Sequence, residues 1–274
     1  MSDVFNQMLA AHTMPGEDGR RNALYEVMQQ VTLAGLARGG FFQNAAFYGG
    51  TCLRLFHGLK RYSEDMDFSL IQKNPDFQFE KYFPAIIEEA RLLGREVTIT
   101  KKDKRTFGRV ESAFLNDTTD VYNLNFQTER SLRIKIEVDT NPPLSFATEQ
   151  RLMVQPYSFM VQCMTLPCLF AGKMHALVYR QWKNRVKGRD WYDFEWYIRW
   201  NHPLNWNHLH ERIVEFSGKE CTKDQFVELL HHRLATTDIN QVKADVLPYV
   251  HNPHEIDIWS NDYFLQLAQR IRWE

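Results

Sequence analysis

No stretch of the 274 residues approaches the roughly 20 consecutive apolar residues that a membrane-spanning helix needs. Cysteine is scarce as well. Cys52, Cys163, Cys168 and Cys221 form no Cys-x-x-Cys pair, which argues against a zinc ribbon and against a dense disulfide framework. Neither sign of charge prevails: 33 Lys and Arg against 34 Asp and Glu leave a net charge of −1. A surface that is a phosphate-binding field throughout would be strongly basic, so any nucleic-acid contact has to be local. Two short basic runs are candidates for it, Lys101-Lys102-Asp103-Lys104-Arg105 and the set Lys183, Arg185, Lys187 and Arg189, although a run of this kind more often marks a solvated face. The start, Met1-Ser2-Asp3-Val4-Phe5, has no basic segment leading into an apolar core, so no signal peptide and a cytoplasmic location are expected. There is no internal repeat and no low-complexity segment.

What the chain does have is ordinary globular composition, 44% hydrophobic and 24% charged, with 14% aromatic residues spread throughout. Helical spacing of Leu24, Val27, Met28, Val31, Leu33 and Leu36 predicts a helix over 17–38, stopped by Gly39-Gly40. Ala45-Ala46-Phe47-Tyr48 suits a buried strand that turns at Gly49-Gly50, and 51–56 reads as a helix capped by the Thr51 hydroxyl. Strict alternation predicts a strand over 65–70, an amphipathic pattern a helix over 79–93, and four β-like segments follow at 95–100, 109–115, 121–126 and 132–139. In the last, Leu132, Ile134, Ile136 and Val138 share one face, while Arg133, Lys135, Glu137 and Asp139 share the other. Asn141-Pro142-Pro143 ends it. Beyond Pro167 the pattern turns helical, at 169–182, 190–200, 223–234 and 256–270. A sheet-bearing domain over 1–165 and a helical one over 166–274 are expected.

Chemistry concentrates in Tyr48-Gly49-Gly50-Thr51 and in Arg61-Tyr62-Ser63-Glu64-Asp65-Met66-Asp67-Phe68. Glycine lets a backbone approach a ligand closely, and free N–H groups at a helix start attract anions. Asp65 and Asp67, two apart on a strand, project from one face, a repulsive arrangement unless a cation such as Mg²⁺ sits beside them. If the strand ending at Asp139 neighbours theirs, three carboxylates converge beside a phosphate-binding turn, the layout of metal-assisted phosphoryl or nucleotidyl transfer. Five histidines lack metallohydrolase spacing and read as structural or surface residues: His202, His208, His210, His231 and His232.

The Gly-Gly-Thr turn, followed after residues 52–64 by Asp-hydrophobic-Asp-hydrophobic, resembles the first motif of the AbiEii/MenT-like nucleotidyltransferase toxins, a branch of the DNA polymerase β-type nucleotidyltransferase superfamily. Lys135-Ile136-Glu137-Val138-Asp139 looks like the next motif, Lys173 in Phe170-Ala171-Gly172-Lys173-Met174 like the family lysine, and Lys187-Gly188-Arg189-Asp190-Trp191-Tyr192-Asp193 like the final motif. The resemblance covers roughly residues 45–200. It implies an α+β fold, a mixed β-sheet domain flanked by helices and followed by a helical C-terminal domain. It implies Asp65, Asp67 and Asp139 as ligands of Mg²⁺ (or Mn²⁺), with Lys173 and Asp190 beside them in catalysis; Asp193 reads instead as a residue of helix packing or an ion pair. Gly49, Gly50, Thr51, Arg61 and Ser63 would hold the NTP substrate. The acceptor would be the 3′ end of tRNA or another RNA, the setting a bacterial toxin–antitoxin or phage-defence system with a cognate antitoxin. Three alternatives stay open: a protein acceptor, a kinase using the same site, and a nucleotide-binding module acting through a partner. A haloacid dehalogenase-type phosphatase also uses Asp-x-Asp, but it leaves the glycine turn unexplained.

Overall fold

The computed structural model describes residues 3–12, 16–102, 119–127, 132–180 and 186–274. They fall into two compact units. A sheet unit comprises 1–58, 64–142 and 148–163; a helical unit comprises 59–63, 143–147 and 164–274. A single cut near residue 165 does not anticipate the two short excursions, 59–63 and 143–147, that the chain makes into the helical unit. The strand expected at 109–115, most of the first basic run, and Lys183 and Arg185 of the second lie outside the described residues.

In the sheet unit the chain runs α1 (Asp3–Ala10), α2 (Gly16–Arg38), β1 (Ala45–Tyr48), α3 (Gly49–His57), β2 (Met66–Leu70), α4 (Phe83–Leu92), β3 (Glu96–Lys101), β4 (Thr119–Gln127), β5 (Leu132–Asp139), β6 (Thr148–Met153) and β7 (Phe159–Met164). The seven strands form one mixed sheet in the order β3-β4-β5-β2-β1-β7-β6. β2 lies between antiparallel β1 and parallel β5. Alternation along β5 buries Leu132, Ile134, Ile136 and Val138 and leaves Arg133, Lys135 and Glu137 less covered, as a strand packed on one face requires.

The core is aromatic. Phe68 of β2 stacks on Phe47 of β1 at 5.0 Å and meets the edge of Phe41 at 5.0 Å, and Phe79 reaches Tyr122 of β4 at 4.7 Å. From Ala23 to Leu36 α2 is covered nearly all round, with Val27, Met28, Val31, Leu33, Ala34 and Leu36 fully buried. It packs closely on α4: a Cβ at Gly35 would stand 2.7 Å from the Cα of Ile86.

The helical unit contains α5 (Leu166–Tyr179), α6 (Gly188–Arg199), α7 (Trp206–Ser217), α8 (Lys223–Thr236), α9 (Ile239–Val246) and α10 (Asn261–Ala268), with a short parallel pair, β8 (Pro203–Leu204) and β9 (Arg272–Trp273). Its helix starts are set by short polar side chains: Asn205, Thr222, Asp238 and Ser260 each accept a backbone N–H, and Thr222 forms a reciprocal capping box with Gln225. Phe170 of α5 stacks on Tyr197 of α6 at 4.2 Å, and Trp191 meets Phe264 of α10 edge-on at 4.7 Å. No helix among the described residues is long and apolar enough to cross a membrane.

Candidate functional site

Two concentrations of charge account for most of the motif residues, one in each unit. In the sheet unit, parallel pairing sets Met66 beside Ile136, Asp67 beside Glu137 and Ser69 beside Asp139. Paired residues on neighbouring parallel strands share a face, and alternation carries the row back one step to Asp65 and Lys135. The face away from the aromatic core therefore presents Asp65, Asp67 and Ser69 from β2 and its approach, opposite Lys135, Glu137 and Asp139 from β5. The strand itself begins at Met66, so Asp65 stands just before it.

The register adds a residue that the sequence reading had not singled out. Glu137, not Asp139, lies directly across from Asp67. Asp139 is one step farther along, largely buried, with its Oδ1 accepting the N–H of Asn141 at 3.1 Å. The signal for Glu137 was visible in the alternation of Lys135, Glu137 and Asp139; only the pairing with β2 shows which of the two acids faces Asp67. Lys135 belongs to the same row. Its Nζ is 2.7 Å from Glu137 Oε1 and 3.5 Å from Asp65 Oδ2. Burial works against its charge, but Glu137, Asp65 and Asp67 outweigh that and hold its pKa above the usual lysine range.

Beside this row stands the glycine turn. Gly49, at φ +80°, occupies the left-handed region that favours glycine, and a Cβ there would overlap Asp67 Oδ2 and stand 2.9 Å from Asp67 Cγ. The turn and the carboxylate are thus in direct contact. α3 starts at Gly49, with Tyr48 as its N-cap, so the expected capping by Thr51 is not what the structure shows. Thr51 is instead fully buried one turn inside the helix, where its hydroxyl donates to the Asp65 carbonyl and ties α3 to the approach of β2.

The remaining motif residues gather in the helical unit. Arg61 is 1% exposed. Its Nε and Nη2 donate to the two carboxylate oxygens of Asp193 at 2.6 Å each, and its Nη1 donates to the Tyr62 carbonyl at 2.9 Å. Three of the five guanidinium N–H donors are so engaged, which makes Arg61 one half of a buried ion pair inside the helical unit. Ser63 is buried two residues on. Lys173 Nζ lies 2.7 Å from Asp193 Oδ2 and 3.6 Å from Asp190 Oδ1, and Asp190 also receives Arg180 at 3.2 Å. Burial alone would raise both acids, yet Arg180, Lys173 and Lys187 pull Asp190 down to about 2, and Arg61 with Lys173 lowers Asp193. Lys187 is held down to about 7 by burial and by Arg180, Arg189 and Lys173, against the pull of Asp190.

The histidines stay out of both clusters. His208 is fully buried, its Nδ1 3.2 Å from Ser145 Oγ, and burial with the nearby Arg212 holds it down to about 3. His210 pairs with Glu220 at 2.8 Å. Among the described residues, no three His, Cys, Asp or Glu side chains stand together as a ready-made metal cage. The acidic row nevertheless suits a divalent cation: its donors are the hard carboxylate oxygens that Mg²⁺ prefers, and a cation, the Lys135 ammonium, already sits among them.

Comparison with curated proteins gives no match. Among solved structures, the fold is similar to MenT4, a nucleotidyltransferase toxin of Mycobacterium tuberculosis H37Rv, at TM-score 0.62 and 15% identity over 96% of this chain and 87% of that one. It is also similar to JHP933 of Helicobacter pylori, at TM-score 0.54 and 17% identity over 91% and 90%. The profile of the nucleotidyl transferase AbiEii toxin family matches residues 31–267, most of the chain. The chain belongs to this family, the nucleotidyltransferase toxins of type IV toxin–antitoxin systems.

Proposed function

We propose that this nucleotidyltransferase moves an NMP from an NTP to a hydroxyl at the 3′ end of tRNA, in the cytoplasm, under the restraint of a cognate antitoxin. The observation that carries the catalytic part is the row of Asp65, Asp67 and Glu137 on neighbouring strands, with the Asp67 carboxylate packed against the Gly49 turn. Asp65, Asp67 and Glu137 would hold Mg²⁺ (or Mn²⁺), with Asp139 closing the row, and the ion would supply charge neutralisation at the triphosphate. Main-chain N–H groups at Gly49 and Gly50, at the start of α3, attract the phosphate oxygens. The acceptor oxygen bonds to the α-phosphorus, the bond from that phosphorus to the bridging oxygen breaks, and pyrophosphate leaves with the electron pair. The hydroxyl proton passes to a carboxylate of the row. Lys173 is held by Asp190 within the helical unit, and the part of both in the reaction rests on the family resemblance.

The tRNA acceptor rests on the family resemblance, and a defence role against phage on the same ground. An assay with each α-³²P-labelled NTP, Mg²⁺ and total tRNA tests the reaction. Label in tRNA is expected from the natural chain. Asp67→Asn is expected to lose it on the order of a thousandfold, as removal of a charge-stabilising group at a reacting phosphate does, without loss of fold. Label that enters only from γ-³²P would make the enzyme a kinase and overturn the proposal; label in protein alone would overturn the acceptor.

A further inference from the structure

Lys135 is the unexpected member of the acidic row. Cation sites are built from oxygen donors, and a lysine at one of their corners competes with the ion. The residues flanking the row on β4, Asn123 beside Lys135 and Val121 beside Glu137, bring no charge of their own. The ammonium is therefore the counter-charge for Asp65 and Glu137, 3.5 Å and 2.7 Å away. We propose that Lys135 is a resident counter-cation: it stands where a divalent ion is to bind, keeps the carboxylates aligned until then, and is displaced when the ion arrives. This rests on the reading of the row as the metal site given above.

Three observations carry it. Lys135 touches both Asp65 and Glu137, and carboxylates gathered round one ammonium repel one another and would splay apart without a cation. Lysine is suited to a temporary task, since a strongly hydrated point charge on a flexible stem leaves an ion pair more easily than a guanidinium fork does. Its side chain is also 32% exposed, so water can take over its solvation. Arg61 shows the opposite choice, a side chain 2% exposed and doubly bonded to Asp193. The consequence is selectivity. A free ion must evict the ammonium unaided, whereas an ion arriving on a polyphosphate brings further contacts with it, so the row favours the metal–nucleotide complex over the bare metal. Lys135 acts through the carboxylates and is a positioning residue.

Titration of the whole chain with Mn²⁺ in the absence of nucleotide, following the free ion by its paramagnetic resonance signal, tests this directly. Lys135→Met and Lys135→Gln are expected to bind Mn²⁺ about tenfold more tightly than the natural chain, since loss of one nearby positive charge in a partly exposed site is worth about that much. Lys135→Arg keeps the charge and is expected to stay within about twofold of the natural affinity, because the competing charge is unchanged. Equal or weaker binding in folded Met and Gln variants would overturn the inference. So would failure of both to fold, because the lysine would then be a structural partner and not a displaceable one. Asp67→Asn in the same titration separates the two readings. Lost binding there with unchanged binding in the neutral Lys135 variants refutes the counter-cation alone, and undiminished binding refutes the metal site and the counter-cation with it.

Discussion

The two charge clusters use the same residue types to opposite ends. In the sheet unit Asp65 is about one-third exposed and stands 3.5 Å from Lys135, which is itself 32% exposed. In the helical unit Asp193 is completely buried and is gripped by Arg61 and Lys173 at 2.6 and 2.7 Å. A buried charge is tolerated only when its partners satisfy it, so the helical cluster is built to stay closed. The sheet-unit cluster instead presents Asp65 and Lys135 where water reaches them. The motif Arg61-Tyr62-Ser63-Glu64-Asp65-Met66-Asp67 is divided between them: its arginine fastens one unit and its aspartates equip the other.

The sharpest break of this contrast is Arg61→Met. It strips Asp193 of two hydrogen bonds and is expected to reduce stability by about 3–5 kcal/mol, as for other broken buried pairs, read from urea unfolding. The double variant Arg61→Met with Asp193→Leu is expected to recover most of that, because the stranded charge is gone; no recovery would mean that the pair does more than satisfy itself. Gly49→Ala strikes the sheet-unit cluster. The left-handed backbone costs about 1–2 kcal/mol with a side chain, and the new methyl displaces the Asp67 carboxylate. A fall in transfer well beyond the loss in stability is expected, and full activity would separate the turn from the site.

The smallest effect is in pH. Asp190 has its folded pKa lowered to about 2, so its ion pairs stabilise the protein above the ordinary carboxylate value and lose that contribution as pH falls from about 4 to 2. Across this window the natural chain is expected to lose on the order of 2 kcal/mol more than Asp190→Asn does. Parallel unfolding curves at pH 5 and pH 2.5 check it, and identical slopes would refute it.

Much of the sheet unit was legible because its elements are one-sided. β5 alternates cleanly, β2 nearly so, and α2 ends where Gly39-Gly40 says it does. β6 and β7 were not foreseen. β6 is an edge strand of mixed polarity, Thr148-Glu149-Gln150-Arg151-Leu152-Met153, that leaves Leu152 58% exposed, so no periodicity betrays it. α7 went unread because His208, His210 and Glu211 interrupt its apolar positions, although His208 is buried like a core residue. At the candidate site the acids and the glycine turn could be read from spacing alone. The place of Glu137, the fate of Arg61 and the turn of the Thr51 hydroxyl depend on which strands pair and which helix is near, and no local pattern encodes that.

The bidentate pair of Arg61 and Asp193 also sets a schedule for the newborn chain. Its partners are 132 residues apart, and at a bacterial synthesis rate of up to about 20 residues per second roughly seven seconds or more separate the emergence of the arginine from that of its aspartate. Throughout that interval the guanidinium has to remain hydrated while the early strands are already able to associate. Segment 59–63 therefore cannot reach its final setting until α6 has been synthesised, by which time all seven strands of the sheet have emerged.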